Sequence, residues 1–153
     1  MKQLRNSVIL LFLVSVSLLL CSCGQSNGQS KKVECPFTEI TWDNSLDDVL
    51  ALEGEPLDSY DSIYSGTTYT FQKDFHDMSG TIKYMFDGDD KLMSMAWLYI
   101  PESKEDLENV YQTLFDETNQ LYGESGFDSD MGTAKGNVWY LKDGNILIGV
   151  MST

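Results

Sequence analysis

The residue types that most often carry out chemistry in proteins are few in this chain. It has one histidine, His76, and three cysteines. No serine is placed in the strand-to-helix turn of a nucleophile elbow, and no glycine-rich phosphate loop is present. Cys21 and Cys23 belong to the N-terminal segment discussed below, so only His76 and Cys35 are left, and they offer too few nitrogen and sulfur ligands for zinc. The sequence therefore predicts a solvent-exposed loop histidine, no catalytic site, no metal site and no cofactor.

Clustered carboxylates suggest a different chemistry, the capture of calcium or a cationic solute. Asp87, Asp89 and Asp90 share one turn, and Asp128 and Asp130 share another. An EF-hand loop needs glycine at position 6 and glutamate at position 12, whereas the second cluster has glycine at position 5 and no such glutamate. Aspartate is also common in turns without any ligand, because its side chain hydrogen-bonds the nearby backbone. Cation binding through these carboxylates therefore stays as an alternative function.

The chain is strongly acidic. Its 10 Lys and Arg oppose 24 Asp and Glu, which gives a formal net charge of −14. Lys2 and Arg5 lie in a segment that we expect to be removed, which leaves 8 basic residues and a net charge of −16. Such a surface repels phosphate backbones and anionic headgroups, so nucleic acid is not an expected partner and no basic patch attaches the chain to a membrane.

The N-terminus has the pattern of a bacterial export signal. A short basic start precedes an apolar run over 8–20, which is shorter than the roughly 20 residues that span a bilayer. The following Leu20-Cys21-Ser22-Cys23-Gly24 resembles a bacterial lipobox. The resemblance implies cleavage before Cys23, a thioether-linked diacylglycerol with palmitate-like acyl chains, and retention on the outer face of a bacterial membrane. A plain secretory signal with incidental cysteines is the alternative.

Three parts follow from this N-terminus. We expect a signal peptide over 1–22, a lipid-anchored flexible tether over 23–36, and a single α+β domain over 37–153. With Cys21 removed and Cys23 lipidated, Cys35 is the only thiol left, so a disulfide within one chain is impossible. Cys35 is expected to be a small buried residue, with pairing between two chains as the alternative.

The domain alternates helical and strand patterns. Apolar spacing and capping residues predict helices over 46–53 and from Ser103 to Gly123. Alternation and turn residues predict strands over 64–73, 80–87, 91–100, 137–142 and 145–151, with a loop over 126–136. Because each helix has one apolar stripe to cover, we expect a single antiparallel sheet of about five strands with both helices packed on one face, in the order helix-β-β-β-helix-β-β.

A weak internal repeat accompanies these elements. Leu52-Glu53-Gly54-Glu55-Pro56 parallels the segment Leu121-Tyr122-Gly123-Glu124-Ser125. The two hairpins that follow also share aromatic residues before a turn with Asp and Gly. The first unit is expected to contain a helix and three strands, and the second a helix and two strands.

Aromatic and methionine residues on the third strand are the remaining functional signal. Strand alternation places two sets of side chains on opposite faces: Leu92, Ser94, Ala96, Leu98 and Ile100 on one, and Met93, Met95, Trp97 and Tyr99 on the other. If the second group faces away from the helices, it forms an apolar stripe on an open sheet face, which is a candidate surface for binding a protein partner. The alternative is that a loop or the tether covers it.

A longer pattern resembles a known class. Trp42-x-x-Ser45-x-x-x-Val49-x-x-x-Glu53-Gly54-x-Pro56, followed by an aromatic hairpin, is similar to small bacterial lipoproteins of the β-lactamase-inhibitor-protein-like type. The similarity extends to uncharacterised envelope lipoproteins of Firmicutes and, more distantly, to the small outer-membrane lipoprotein of the barrel-assembly machinery. It implies a helix packed on an antiparallel sheet and a role in binding or assembly, with no binding residue carried over. The expected function is therefore that of a non-enzymatic, lipid-anchored envelope protein that binds another protein.

Overall fold

The computed structural model describes residues 31–131 and 134–151. They form two helices and seven strands. The elements are α1 (Leu46–Glu53), β1 (Asp58–Asp61), β2 (Ser65–Phe75), β3 (Met78–Asp87), β4 (Leu92–Leu98), α2 (Lys104–Tyr122), β5 (Phe127–Asp130), β6 (Ala134–Tyr140) and β7 (Asn145–Met151). The predicted signal peptide and Cys23 lie outside the described residues. In the described ranges, neither helix has the length and apolar character needed to cross a membrane.

Both helices begin and end where the sequence predicts. The Ser45 hydroxyl accepts a hydrogen bond from the Asp48 N–H, and the Asp48 carboxylate accepts one from the Ser45 N–H, so a capping box opens α1. At the start of α2, the Ser103 hydroxyl accepts a hydrogen bond from the Asp106 N–H in the same way. Gly54 and Gly123 end the two helices with φ of 86° and 82°, a backbone conformation that residues other than glycine rarely adopt.

The strands form two antiparallel sheets, so the predicted single sheet of about five strands is wrong in this respect. The first sheet has the order β1-β2-β3-β4 and the second the order β5-β6-β7. The sequence missed β1 and β5, each of which has four residues and two aspartates. Short, polar edge strands of this kind bury too little apolar surface to show alternation. The broad α+β class is as expected.

Each helix covers one face of its own sheet. Val49 of α1 is fully buried against the inward residues of β2, β3 and β4, which are Phe71, Ile82, Tyr84, Phe86 and Leu92. On the second sheet, the Trp139 ring packs 5.7 Å from the Phe115 ring of α2, measured between centroids. The Trp139 indole N–H donates to the Gly123 carbonyl at 2.9 Å, which ties β6 to the end of that helix.

The two halves repeat one arrangement. Gly54 and Gly123 are 69 residues apart, and so are the first residues of β1 and β5, Asp58 and Phe127. In both halves the helix is followed by a short edge strand that pairs with a longer central strand. The first half adds β4, which has no counterpart in the second half. The weak internal repeat in the sequence therefore corresponds to a structural repeat.

The segment over 31–38 contacts both halves. The Val33 N–H donates to the Asp143 carboxylate at 2.8 Å, and the Glu34 N–H donates to the Tyr122 hydroxyl at 3.0 Å, both in the second half. A few residues later, the Thr38 hydroxyl lies 2.6 Å from the Tyr84 hydroxyl in the first half. The described end of the predicted tether, 31–36, is thus hydrogen-bonded to the domain.

Candidate functional site

β4 lies at one edge of the first sheet and carries three of the four residues expected to bind a partner. It pairs with β3 on one side, and the strand order of the first sheet ends with it. Met93, Met95 and Trp97 belong to the strand, and Tyr99 follows it by one residue. The structure therefore brings the four residues together along one sheet edge and its extension.

A bulge decides which of these side chains share a face. The β3–β4 register pairs are, in order along β3, Ile82 with Trp97, Tyr84 with Met95, and Phe86 with Leu92. The side of the buried core therefore holds Leu92, Met95 and Trp97. Met93 is the extra residue of the bulge and has no partner on β3. The predicted alternation, with Leu92 on one face and Met95 and Trp97 on the other, is corrected by this bulge.

Trp97 links the core to the rim of the sheet through a line of aromatic rings. Its indole N–H donates to the Lys73 carbonyl at 2.9 Å. Its ring contacts Phe75 edge-on, at 5.3 Å between centroids, and stacks on Tyr99 at 5.8 Å. The Tyr99 hydroxyl donates to the Asp106 carboxylate at 2.8 Å, and this hydrogen bond raises the pKa of Tyr99. The Trp97 ring thus lies between the Phe75 and Tyr99 rings, and Tyr99 is at the outer end of this line of rings.

The outer part of β4 is apolar and uncharged. No residue of β4 carries a charge, although the whole chain has a net charge of −14. Met93 is 40% exposed, Leu98 is 42% exposed, and Ile100 just beyond the strand is 90% exposed. The opposite edge strand of the same sheet, β1, has only four residues and places an aspartate at each end. Short strands, charges and bulges all discourage pairing with other chains; β4 is neither short nor charged, and its one such feature is the bulge at Met93.

Acidic residues lie at both ends of this edge. Exposed Asp89 and Asp90 precede β4, together with Lys91, and exposed Glu102 follows it. The Asp87 carboxylate accepts hydrogen bonds from the Asp89 and Lys91 N–H groups at 3.0 and 2.9 Å, so it stabilises its own turn. An uncharged strand between acidic ends fits an apolar segment with basic flanks.

The turn carboxylates do not assemble into a metal site in the part of the chain that the structure describes. Nowhere over 31–131 and 134–151 do three His, Cys, Asp or Glu side chains come together in a way that could hold a metal ion. Asp128 and Asp130 lie in β5, not in a loop. The carboxylates of the first cluster surround a hairpin turn that one of them stabilises. This geometry gives no support to the calcium alternative.

A buried ion pair joins α1 to the first sheet. The Lys73 ammonium donates to both carboxylate oxygens of Glu53, at 2.9 and 3.0 Å, and the Tyr84 hydroxyl donates to one of them at 2.7 Å. The Glu53 side chain is only 4% exposed. Burial raises the pKa of Tyr84, and the neighbouring Glu53 carboxylate adds to this shift. The cluster fixes the end of α1 on the sheet.

Cys35 lies next to this cluster and is a free, half-buried thiol. It lines a shallow cleft of about 410 Å³ together with Thr38, Leu52 and Lys73. Burial raises the pKa of the Cys35 thiol to about 11, although hydrogen bonds from the Phe37 and Thr38 backbone oppose the shift. At neutral pH the thiol is therefore protonated, which makes it a poor nucleophile and a poor metal ligand.

His76 has a structural contact in place of a catalytic one. It lies in the β2–β3 turn with φ of 50°. Its ring packs against Phe75 at 4.2 Å between centroids, and its Nε2 atom lies 3.0 Å from the Glu117 carboxylate of α2. His76 is partly exposed, in line with the loop position expected from the sequence, but it also connects the tip of the first sheet to the second half.

No protein-family model matches the chain, and searches of curated proteins and of solved structures also give no match. Evidence for function therefore comes from the geometry just described.

The sequence identified the residues of β4 but not their position at an edge. The run from Leu92 to Leu98 lacks any charge, which is a signal for an unprotected edge once the strand order is known. β4 is an edge because the strands of the second half form a separate sheet, whereas the sequence predicted a single sheet. The bulge at Met93 has no sequence signature, because it inserts an ordinary residue into the strand.

Proposed function

We propose that this chain is a non-enzymatic, lipid-anchored lipoprotein of the bacterial cell envelope that binds a protein partner through β4. The observation that carries the proposal is an edge strand, β4, that is uncharged over seven residues and exposes Met93 and Leu98, in a chain with a net charge of −14. The edge strand of the second sheet, β7, is also uncharged over seven residues, but it lacks the acidic residues that lie at both ends of β4. Soluble proteins normally protect such edges with charges, prolines or short strands. An uncharged edge strand of this length is therefore a place for another chain to pair.

Strand addition is the mode of binding that suits this edge. The outward backbone N–H and C=O groups of an edge strand can pair with an extended segment of the partner, and side chains beside them select its sequence. Met93 and Leu98 supply exposed apolar contacts, and Tyr99 adds an aromatic ring next to the end of the strand. The acidic residues at both ends of β4 favour basic residues flanking an apolar segment in the partner.

The anchor follows from the lipobox-like sequence that ends at Cys23. Acyl chains on this residue gain about 0.8 kcal/mol for each buried CH₂ group, so two or three chains retain the domain firmly at the outer face of the membrane. Retention there restricts the partner to proteins of the envelope. The acidity of the domain keeps it soluble next to the bilayer and raises the encounter rate with basic partners.

The titratable residues support a binding protein more than an enzyme. Glu53 and Lys73 neutralise each other in the core of the first half, where they join a helix to a sheet. The Cys35 thiol is protonated at neutral pH because burial raises its pKa to about 11. Neither feature resembles an activated nucleophile with an adjacent base.

Capture from native envelope extract tests the proposal, with two variants of equal exposure. Met93→Lys places a charge on the β4 edge, and Tyr60→Lys places the same charge on the opposite edge, β1; the native side chains are 40% and 42% exposed. We expect the native chain and Tyr60→Lys to capture the same partner, and Met93→Lys to lose at least about tenfold in affinity, because strand pairing would bring its charge against apolar residues.

Trp97→Ala is a poor variant for this purpose, because Trp97 packs on the core and donates to Lys73. Circular dichroism and urea unfolding establish that both lysine variants are folded before capture is compared. Equal capture by the native chain and Met93→Lys would contradict a role for the β4 edge. Capture of nothing by the native chain would contradict the binding function itself.

A further inference from the structure

The open face of the second sheet is the other large apolar feature of the surface. One row of register pairs crosses all three strands and consists of Phe127, Val138 and Leu147. These side chains point away from the face on which Trp139 packs under α2, because alternate residues of a strand face opposite sides. Phe127 is 52% exposed, Leu147 is 70% exposed, and Tyr140 on the same face is 57% exposed.

Two of these exposed side chains lie at one end of this face. Tyr140 pairs with Asn145 next to the β6–β7 turn, and the row with Leu147 comes directly after it. Farther from the turn, Gly136 pairs with Gly149 and offers no side chain. Tyr140 and Leu147 therefore lie beside the β6–β7 turn, while exposed Met131 lies at the far end of the sheet, next to Ala134.

The N-terminal part of the chain enters the domain at the same turn. The Lys142 N–H donates to the Lys31 carbonyl at 3.4 Å, and the Val33 N–H donates to the Asp143 carboxylate at 2.8 Å. Only seven residues separate Lys31 from Cys23 in the sequence. Fully extended, this stretch reaches roughly 27 Å. If Cys23 carries the lipid, as proposed above, the β6–β7 turn must lie close to the bilayer surface.

This end of the domain also carries a group of lysines. Lys31, Lys32 and Lys142 are exposed here and account for three of the eight lysines outside the expected signal peptide. The carboxylates of Glu34 and Asp143 lie beside them, so the local charge is close to neutral, in contrast to −16 for the mature chain. An anionic bilayer therefore repels this end less than the net charge of the chain implies, and lysine side chains can reach its phosphate groups.

We infer that the open face of the second sheet docks on the bilayer surface beside the anchor. Tyr140, Leu147 and Phe127 enter the interfacial zone, where aromatic and leucine side chains bury their apolar parts near the headgroups. The inference rests on the proposed lipid anchor and goes beyond it, because an anchor on a tether does not require the domain itself to touch the membrane. The contact fixes the orientation in which the domain presents its remaining surface.

A fluorescent probe at two positions tests this orientation. The mature, lipidated chain is placed in vesicles of phosphatidylethanolamine and phosphatidylglycerol, with an environment-sensitive label on Leu147→Cys or on Ile63→Cys. Ile63 is the matched control, because it is apolar, 84% exposed and located in the first half, before β2. The parent chain reports any labelling of Cys35, which lies half-buried.

We expect vesicles to shift the emission of the label at 147 to shorter wavelength, with quenching by lipids spin-labelled near the headgroup, and to leave the label at 63 unchanged. A chain that floats with the vesicles while the label at 147 stays as exposed as that at 63 would overturn the docking face alone. Shielding of 147 that also occurs without vesicles at high protein concentration would assign the face to self-association. A chain that fails to float would overturn the anchor and this inference with it.

Discussion

The buried ion pair between Glu53 and Lys73 gives the sharpest prediction about stability. Replacing Lys73 by methionine removes two hydrogen bonds to a carboxylate that is only 4% exposed, and leaves the Tyr84 hydroxyl as its main partner. Breaking a buried pair in this way typically costs 3–5 kcal/mol. The Lys73 side chain is 24% exposed, so water reaches part of the site. We therefore expect Lys73→Met to lower the free energy of unfolding by about 3 kcal/mol.

Urea unfolding followed by circular dichroism measures this change, and a second ion pair supplies the control. Lys135 is 26% exposed, much like Lys73, but its partner Glu108 is 50% exposed. Lys135→Met should cost only about 1 kcal/mol, since exposed pairs contribute little. Adding Glu53→Gln to Lys73→Met should restore about 1–2 kcal/mol by removing the buried charge. Equal losses for the two lysine variants would refute the reasoning that burial of Glu53 determines the cost.

Three further predictions concern the backbone, the thiol and acid stability. Gly54→Ala should cost about 1–3 kcal/mol in urea unfolding because φ is 86° there, whereas Gly149→Ala, which meets nothing closer than 3.6 Å, should cost less. Alkylation of Cys35 at pH 8 should be about tenfold slower in the folded than in the unfolded chain. Because burial raises the pKa of the Cys35 thiol from 9.0 to about 11, the free energy of unfolding should fall as the pH rises from 9 towards 11. Hydrogen bonds from Ser45 lower the pKa of Asp48, so the native chain should lose stability as the pH falls below about 4, and Asp48→Asn should reduce that loss in a pH series of unfolding midpoints.

Local signals in the sequence were sufficient for the helices and the hairpins. Capping at Ser45 and Ser103 and the glycines that end each helix are decided within a few residues, so the chain itself specifies them. The turn at Asp87 is local in the same sense, because its carboxylate bonds N–H groups two and four residues later. These features do not depend on which strands are neighbours.

Local signals were not sufficient to predict which strands belong to which sheet. β1 pairs with β2 through residues such as Tyr60, yet its four residues are all exposed and carry no alternating pattern. β5 is equally short, so the second half looked like a hairpin with a loop before it. Without these two strands, one sheet of about five strands was the simplest way to cover two helices. Every pairing in both sheets joins consecutive strands, so the two sheets are separate because no strand of the first half pairs with a strand of the second in the described residues, and no short stretch encodes that.

The candidate site shows the same division. The sequence singled out Met93, Met95, Trp97 and Tyr99 by their residue types, and the structure places them along one edge. Their faces were assigned by strict alternation, which the bulge interrupts. Their binding role stays a prediction, and so do lipidation of Cys23 and the envelope location.

The measurement that tests the central proposal most directly is photo-cross-linking in cells that make the lipidated chain. A benzophenone amino acid replaces Met93 on the β4 edge or Tyr60 on the β1 edge, two side chains of nearly equal exposure at 40% and 42%. The proposed strand addition at β4 predicts a cross-linked product with one envelope protein from position 93 and little or none from position 60. No product at 93, or equal products at both positions, would contradict it.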